Sequence, residues 1–115
     1  MSAPSIEELR ERLRAFARAR DWEQFHSPKN LAMALVAEAG ELVEVFQWLT
    51  EEQSRALNAA QREAAAQELA DVLLYLIRLA DRLDIDLLAA AARKIELNDK
   101  KYPAEIVRGR ATKSE

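Results

Sequence analysis

Four acids in this sequence occupy positions where an amphipathic helix would carry leucines. Glu38 and Glu41 lie in "EAGELVEVFQWL", and Glu68 and Asp71 in "ELADVLLYLI". Each pair is spaced i, i+3, so its members stack on one helical face. Leu31, Leu35, Leu42, Val45, Phe46 and Leu49 fall within about 80° of Glu38 on a helical wheel. Val72, Tyr75, Leu76, Leu79 and Leu83 surround Glu68 in the same way. Burying carboxylates without a counter-charge is strongly unfavourable. A cation is therefore expected between the pairs. Hard oxygen donors, with no cysteine and no histidine close by, select Mg²⁺, with Mn²⁺ as the second choice. Mg²⁺ held by a few carboxylates characteristically takes substrate phosphates too, which points to phosphate ester or anhydride chemistry.

Two other readings compete. The acids could be structural partners of arginines such as Arg78 and Arg82, or the whole chain a helical interaction module whose acids are purely electrostatic. A di-iron carboxylate bundle uses Glu-x-x-His motifs, and the single histidine, His26, lies outside any such motif.

The acids have aromatic company. Trp48 falls two turns beyond Glu41, and Tyr75 one turn beyond Asp71. Flat rings beside a phosphate-binding metal suit a nucleobase, since stacking contributes roughly 1 to 3 kcal/mol per base. Lys94, Asn98 and Lys101 share one stripe of a later helix, where two ammonium groups could hold a polyphosphate or simply face water. His26, between Phe25 and Pro28, reads on its own as a loop or packing residue.

The elements that must position these groups are helices. Half of the 115 residues are hydrophobic and only two are Gly and three Pro, which leaves few breaks and predicts one all-α domain. Helix one is expected from Ser5 to about Arg20, with Glu8 completing a capping box. The connector "DWEQFHS" leads to a second helix from Pro28 to about Leu49, capped by Ser27. Thr50 caps a short segment, and a long helix runs from about Asn58 to Leu83. A fourth runs from the cap Asp86 to roughly Lys100 and is stopped by Pro103. The domain is placed at 1–105, with a loose polar tail at 106–115.

The long helix is apolar nearly all round, since Leu69, Leu73, Ile77 and Ala80 cover a side away from Glu68, so a homo-oligomer is expected. A net charge of −3 gives no footprint for duplex nucleic acid, and no apolar run reaches the roughly 18 residues of a membrane span. With no cysteine and no secretion-signal pattern, a cytoplasmic location is the expectation.

Glu38-x-x-Glu41 followed by Glu68-x-x-Asp71 resembles the signature of the MazG-like all-α nucleoside triphosphate pyrophosphohydrolases. "DWEQFHSPKNL", "EAGELVEVFQW", "ELADVLLYLI" and "NDKKYPAE" are similar to its dCTP pyrophosphatase branch, over nearly the whole chain to about Glu105. The resemblance implies an antiparallel, four-helix bundle-like fold with a short extra helix. It also implies Mg²⁺-dependent hydrolysis of dCTP or a modified dCTP-like nucleotide to the monophosphate and pyrophosphate, as nucleotide-pool house-cleaning. Glu38, Glu41, Glu68 and Asp71 would bind the metal. Trp22, Trp48, Tyr75 and Tyr102 would line the base and sugar pocket with Asn98 nearby, His26 falls in a matching loop, and Lys94 and Lys101 would meet phosphates. A tetramer built from dimers is implied ahead of a dimer. Ala37 stands where some relatives carry a second acid, and Glu38, Glu41 and Glu44 all stay open as the general base.

Overall fold

The computed structural model describes residues 2–110. These are helical, with no strand among them: α1 (Ile6–Ala19), a 3₁₀ turn (Glu23–Phe25), α2 (Pro28–Phe46), α3 (Glu51–Ser54), α4 (Ala59–Arg82), α5 (Leu87–Lys101) and α6 (Ala104–Val107). They form two compact units, one ending at Asp84 and the other beginning at Ile85. None of the described helices is long and apolar enough to cross a membrane.

Side-chain caps start the helices. Ser5 and Glu8 form the expected capping box of α1, and Thr50 with Gln53 and Asn58 with Gln61 do the same for α3 and α4. The Ser27 hydroxyl accepts the Asn30 N–H at 3.1 Å, with Pro28 supplying a preset φ at the first helical position. Ser27→Ala is expected to cost about 1 kcal/mol of stability. Urea titration should show it as a lower midpoint with an unchanged slope.

Two boundaries differ from those expected. Helix α2 stops at Phe46, three residues early, because the Leu49 N–H turns back to the Phe46 carbonyl and Thr50 already begins the next cap. Residues after Pro103 form a further helical turn, Ala104–Val107, whose end overlaps the segment expected to be a loose tail. The fixed φ of Pro103 starts that turn. The last part of that tail, 111–115, lies outside the described residues.

In the first unit α4 is the central element, with α2 packed along it most extensively and α1 second. Its core holds Ala17, Leu31, Ala65, Ile77 and Ala80. Leu31 and Ile77 are the largest fully buried side chains, so α2 and α4 supply the centre. The two helices run antiparallel: Glu38 lies beside Glu68, and His26, just before α2, meets Arg78 near the other end of α4.

The turn after α1 aims the first aromatic. Asp21 adopts φ 56°, the left-handed region. The Trp22 N–H bonds the Ala17 carbonyl and the Asp21 N–H that of Arg18, the paired bonds of a Schellman ending with aspartate in the usual glycine place. The chain reverses there, and the Trp22 ring meets Phe16 edge to face, with centroids 5.7 Å apart.

In the second unit Asp86 caps α5 through the Ala89 N–H. No α5 residue is buried, and Leu88, Ile95 and Leu97 are exposed along it.

Candidate active site

Antiparallel packing of α2 on α4 brings three of the four acids together. Glu38, Glu41 and Glu68 each offer a carboxylate oxygen, all within 4.8 Å of one another. The Oε2 atoms of Glu38 and Glu68 are buried and have no hydrogen-bond partner among the described residues. Desolvation raises the pKa of Glu38, and Glu41, Asp71 and Glu68 raise it further. Glu68 is raised in the same way, first by desolvation and then by Glu41, Asp71 and Glu44. Two buried oxygens without donors, in a crowd of like charges, are what a hard divalent cation would satisfy, and the donor set fits Mg²⁺ or Mn²⁺.

Asp71 stands outside this trio. It is close enough to push both half-buried acids up, and it also forms part of the wall of a neighbouring cavity. That cavity, of about 530 Å³, lies wholly within the first unit. Trp22, His26, Asp71, Tyr75 and Arg78 line it, with Leu9, Leu13 and Phe16 of α1 closing the apolar side. Its size and its few polar groups on an apolar lining suit a small organic ligand.

The arginines expected as possible partners of the acids are engaged elsewhere. The Arg78 Nε–H donates to His26 Nδ1 at 3.1 Å and its NH1 to Asp81 Oδ2 at 3.5 Å, while the Arg82 Nε–H donates to the His26 carbonyl at 3.1 Å. Asp81 also accepts two bonds from Arg14, that from Nε at 2.7 Å. Of this Arg14–Asp81–Arg78–His26 network, Arg78 and His26 line the cavity, and Arg78 lies seven residues along α4 from Asp71.

The remaining expected residues are not among those lining the cavity. Trp48 follows the end of α2 and is 86% exposed, away from the cavity wall. Glu44 is exposed one turn beyond Glu41. Lys94, Asn98 and Lys101 are exposed on α5, and Lys101 Nζ lies 5.5 Å from the centroid of the half-buried Tyr102 ring. These four belong to the second unit.

Arg12, Leu13 and Phe16 are wall residues that the sequence did not mark as site residues, and Arg78, expected only as a possible counter-charge of the acids, is another. Arg78 carried a signal: it falls about 80° from Glu68 on the helical wheel, a charge inside the same apolar arc.

Comparison with known proteins gives consistent results. The MazG-like family model matches residues 33–115. Curated relatives include dCTP pyrophosphatase 1 of Bos taurus, 45% identical over 114 residues, covering 97% of this chain and 68% of the relative. The Homo sapiens dCTP pyrophosphatase 1 is 46% identical over 112 residues, 96% of this chain and 66% of the relative. The chain thus spans about two thirds of the length of these relatives. Among solved structures, a pyrophosphatase from Archaeoglobus fulgidus shares the fold with a TM-score of 0.81 and 38% identity, covering 90% of this chain and 96% of that one.

Proposed function

The chain belongs to the MazG-like family, and from that premise we propose that it is a nucleoside triphosphate pyrophosphohydrolase acting on dCTP or a closely related deoxycytidine nucleotide. The observation that carries this reading is the position of Asp71, which joins a cation-demanding acid cluster to an aromatic cavity. A metal-bound triphosphate with its base beyond it needs those two compartments in that order. The names of the relatives, dCTP pyrophosphatase and pyrophosphatase, support the same chemistry.

Glu38, Glu41 and Glu68 would hold Mg²⁺, with Asp71 as the fourth acid. Bound there, Mg²⁺ would neutralise triphosphate charge and lower the pKa of a water. Trp22 and Tyr75 offer ring faces to the nucleoside. Water adds to phosphorus, the α–β anhydride bond breaks, and the products are the monophosphate and pyrophosphate. Of the three open general bases, Glu44 is the one outside the carboxylate trio, yet near enough to raise the pKa of Glu68. We assign it the proton of the attacking water. Lys94 and Lys101 are assigned to phosphate, and Trp48, Asn98 and Tyr102 to the nucleoside.

Incubating the protein with each dNTP and Mg²⁺ tests the reading. Pyrophosphate release, fastest from dCTP and stopped by EDTA, is the expected result. No turnover of any nucleotide would overturn it in favour of the helical interaction module.

The active form is a homo-oligomer, a tetramer of two dimers. Met33, Val36 and Val43 on the side of α2 opposite Glu38, and Leu69 on α4, leave apolar surface exposed, Val36 at 72%. That surface favours burial against another copy. Val36→Glu combined with Val43→Glu should yield a smaller species in light scattering, and a monomeric wild-type protein at micromolar concentration would contradict the assignment.

A further inference from the structure

The far end of the cavity holds a charge with no evident structural need. Arg78 is 5% exposed, and its NH2 nitrogen has no hydrogen-bond partner among the described residues. A buried guanidinium that leaves a donor unmet weakens the fold. Its use is visible at Nε. A guanidinium only donates, so its Nε–H can bond His26 Nδ1 only if that nitrogen carries a lone pair. Neutral His26 must then carry its proton on Nε2. The backbone carbonyl of the same residue is held by Arg82, which fixes the loop as well as the ring. Burial and the positive charges of Arg78 and Arg82 also lower the His26 pKa and keep the ring neutral.

We propose that Arg78 is a positioning residue that locks His26 as a hydrogen-bond donor toward the cavity, and that this donor reads ring nitrogen N3 of cytosine. The proposal rests on the nucleotide reading above. Cytosine presents an unprotonated N3, an acceptor, whereas uracil and thymine present N3–H. A donor locked at that place bonds the first and opposes the other two. Discrimination of this kind works by repulsion as much as by attraction. The spacing agrees: Asp71 and Arg78 lie on one stripe of α4, seven residues or about 10 Å apart. Phosphates at the acid end therefore leave room for a nucleoside reaching toward His26.

His26 is the only histidine in the chain, so ¹⁵N-histidine labelling gives one pair of ring signals. At neutral pH the protein should show Nε2 protonated and Nδ1 bare, and deoxycytidine monophosphate should shift Nε2 while quenching tryptophan fluorescence. Arg78→Ala should release the tautomer and cut the preference for dCTP over dTTP about 10-fold, through KM with kcat little changed. Arg78→Lys, which still donates to Nδ1, should keep most of that preference. A wild-type ring protonated on Nδ1 would overturn the proposal. So would an Nε2 signal that stays put when tryptophan quenching shows the nucleotide bound, or equal losses on dCTP and dTTP in Arg78→Ala. These signals need no turnover, so a protein that binds the monophosphate as described but releases no pyrophosphate would refute the hydrolase reading and leave the base reader standing.

Discussion

Glu38→Gln is expected to lower Mg²⁺-dependent pyrophosphate release by about 10³-fold, the scale of losing a principal electrostatic contact in a reaction of this kind, and at the same time to make the metal-free protein more resistant to heat. Both effects come from the same two oxygens. Glu38 and Glu68 each bury an unpartnered oxygen within a cluster of like charge, so without a cation they oppose folding. The pH dependence follows from the sign of their shifts. Desolvation and the neighbouring acids raise both pKa values above the usual 4.5, so the native state binds more protons than the unfolded chain just above that pH. Stability of the metal-free protein is then lost as pH rises through the native values. His26 works in the opposite direction, because its pKa is lowered and the fold loses stability as pH falls through about 6.5. Comparing wild type with Glu38→Gln cancels the histidine and isolates the acids. The variant should melt higher than wild type at neutral pH without metal, and the gap should narrow as the pH falls toward the raised native values of the acids. Mg²⁺ should raise the melting temperature of wild type and hardly move that of the variant. Glu44→Gln separates base from ligand: with Glu44 as the base, it lowers kcat and leaves Mg²⁺ stabilisation intact. An unstabilised Glu38→Gln that still responds to Mg²⁺ would remove Glu38 from the metal site.

Features written within a few residues of sequence were legible before the structure. Ser5 with Glu8, Ser27 with Pro28, Thr50, Asn58 and Asp86 all cap the helices they were expected to start, because a cap is a contact across three residues. The meeting of Glu38, Glu41 and Glu68 was also legible, since carboxylates in two apolar arcs have few places to go other than toward each other. Trp48 illustrates the limit of the same reasoning. Its helical-wheel position beside the acids assumed that α2 continues, and the Thr50 cap ends that helix at Phe46. The walls supplied by α1 were not legible, because Leu13 and Phe16 look like any amphipathic stripe until the reversal at Asp21 folds Trp22 back onto them. Nor was the network around Arg78, whose partner His26 is 52 residues away in the chain. Arg78, like the four acids, is a charge within an apolar arc. Matching that charge to His26 and Asp81 instead of to the acids required the register of α2 on α4.

Asp81→Ala should cost about 3 kcal/mol of stability, because it removes the counter-charge of a buried arginine. For a chain of this length that corresponds to a fall of roughly 10 °C in melting temperature. The Asp81 side chain is 9% exposed and that of Arg78 5%, whereas Arg14 is 39% exposed. Arg14→Ala therefore leaves a partly solvated group unpaired and should cost much less than Asp81→Ala. The hydrogen bond from Arg14, helped by the charges of Arg14 and Arg78, holds the Asp81 carboxyl below its usual 3.8. A lowered carboxylate stabilises the fold above its unfolded pKa and loses that contribution as pH falls through the native value. The difference between wild type and Asp81→Ala should accordingly be full at neutral pH and shrink only below about pH 4, where calorimetry can follow it. Replacing both charges with apolar side chains, as in Asp81→Leu with Arg78→Leu, should recover much of the stability, since a buried ion pair is often no better than a packed hydrophobic one. It cannot restore the donor to His26 Nδ1. A double variant that melts near wild type yet no longer favours dCTP over dTTP would show that this charged pair is kept for what it does to the imidazole rather than for the fold.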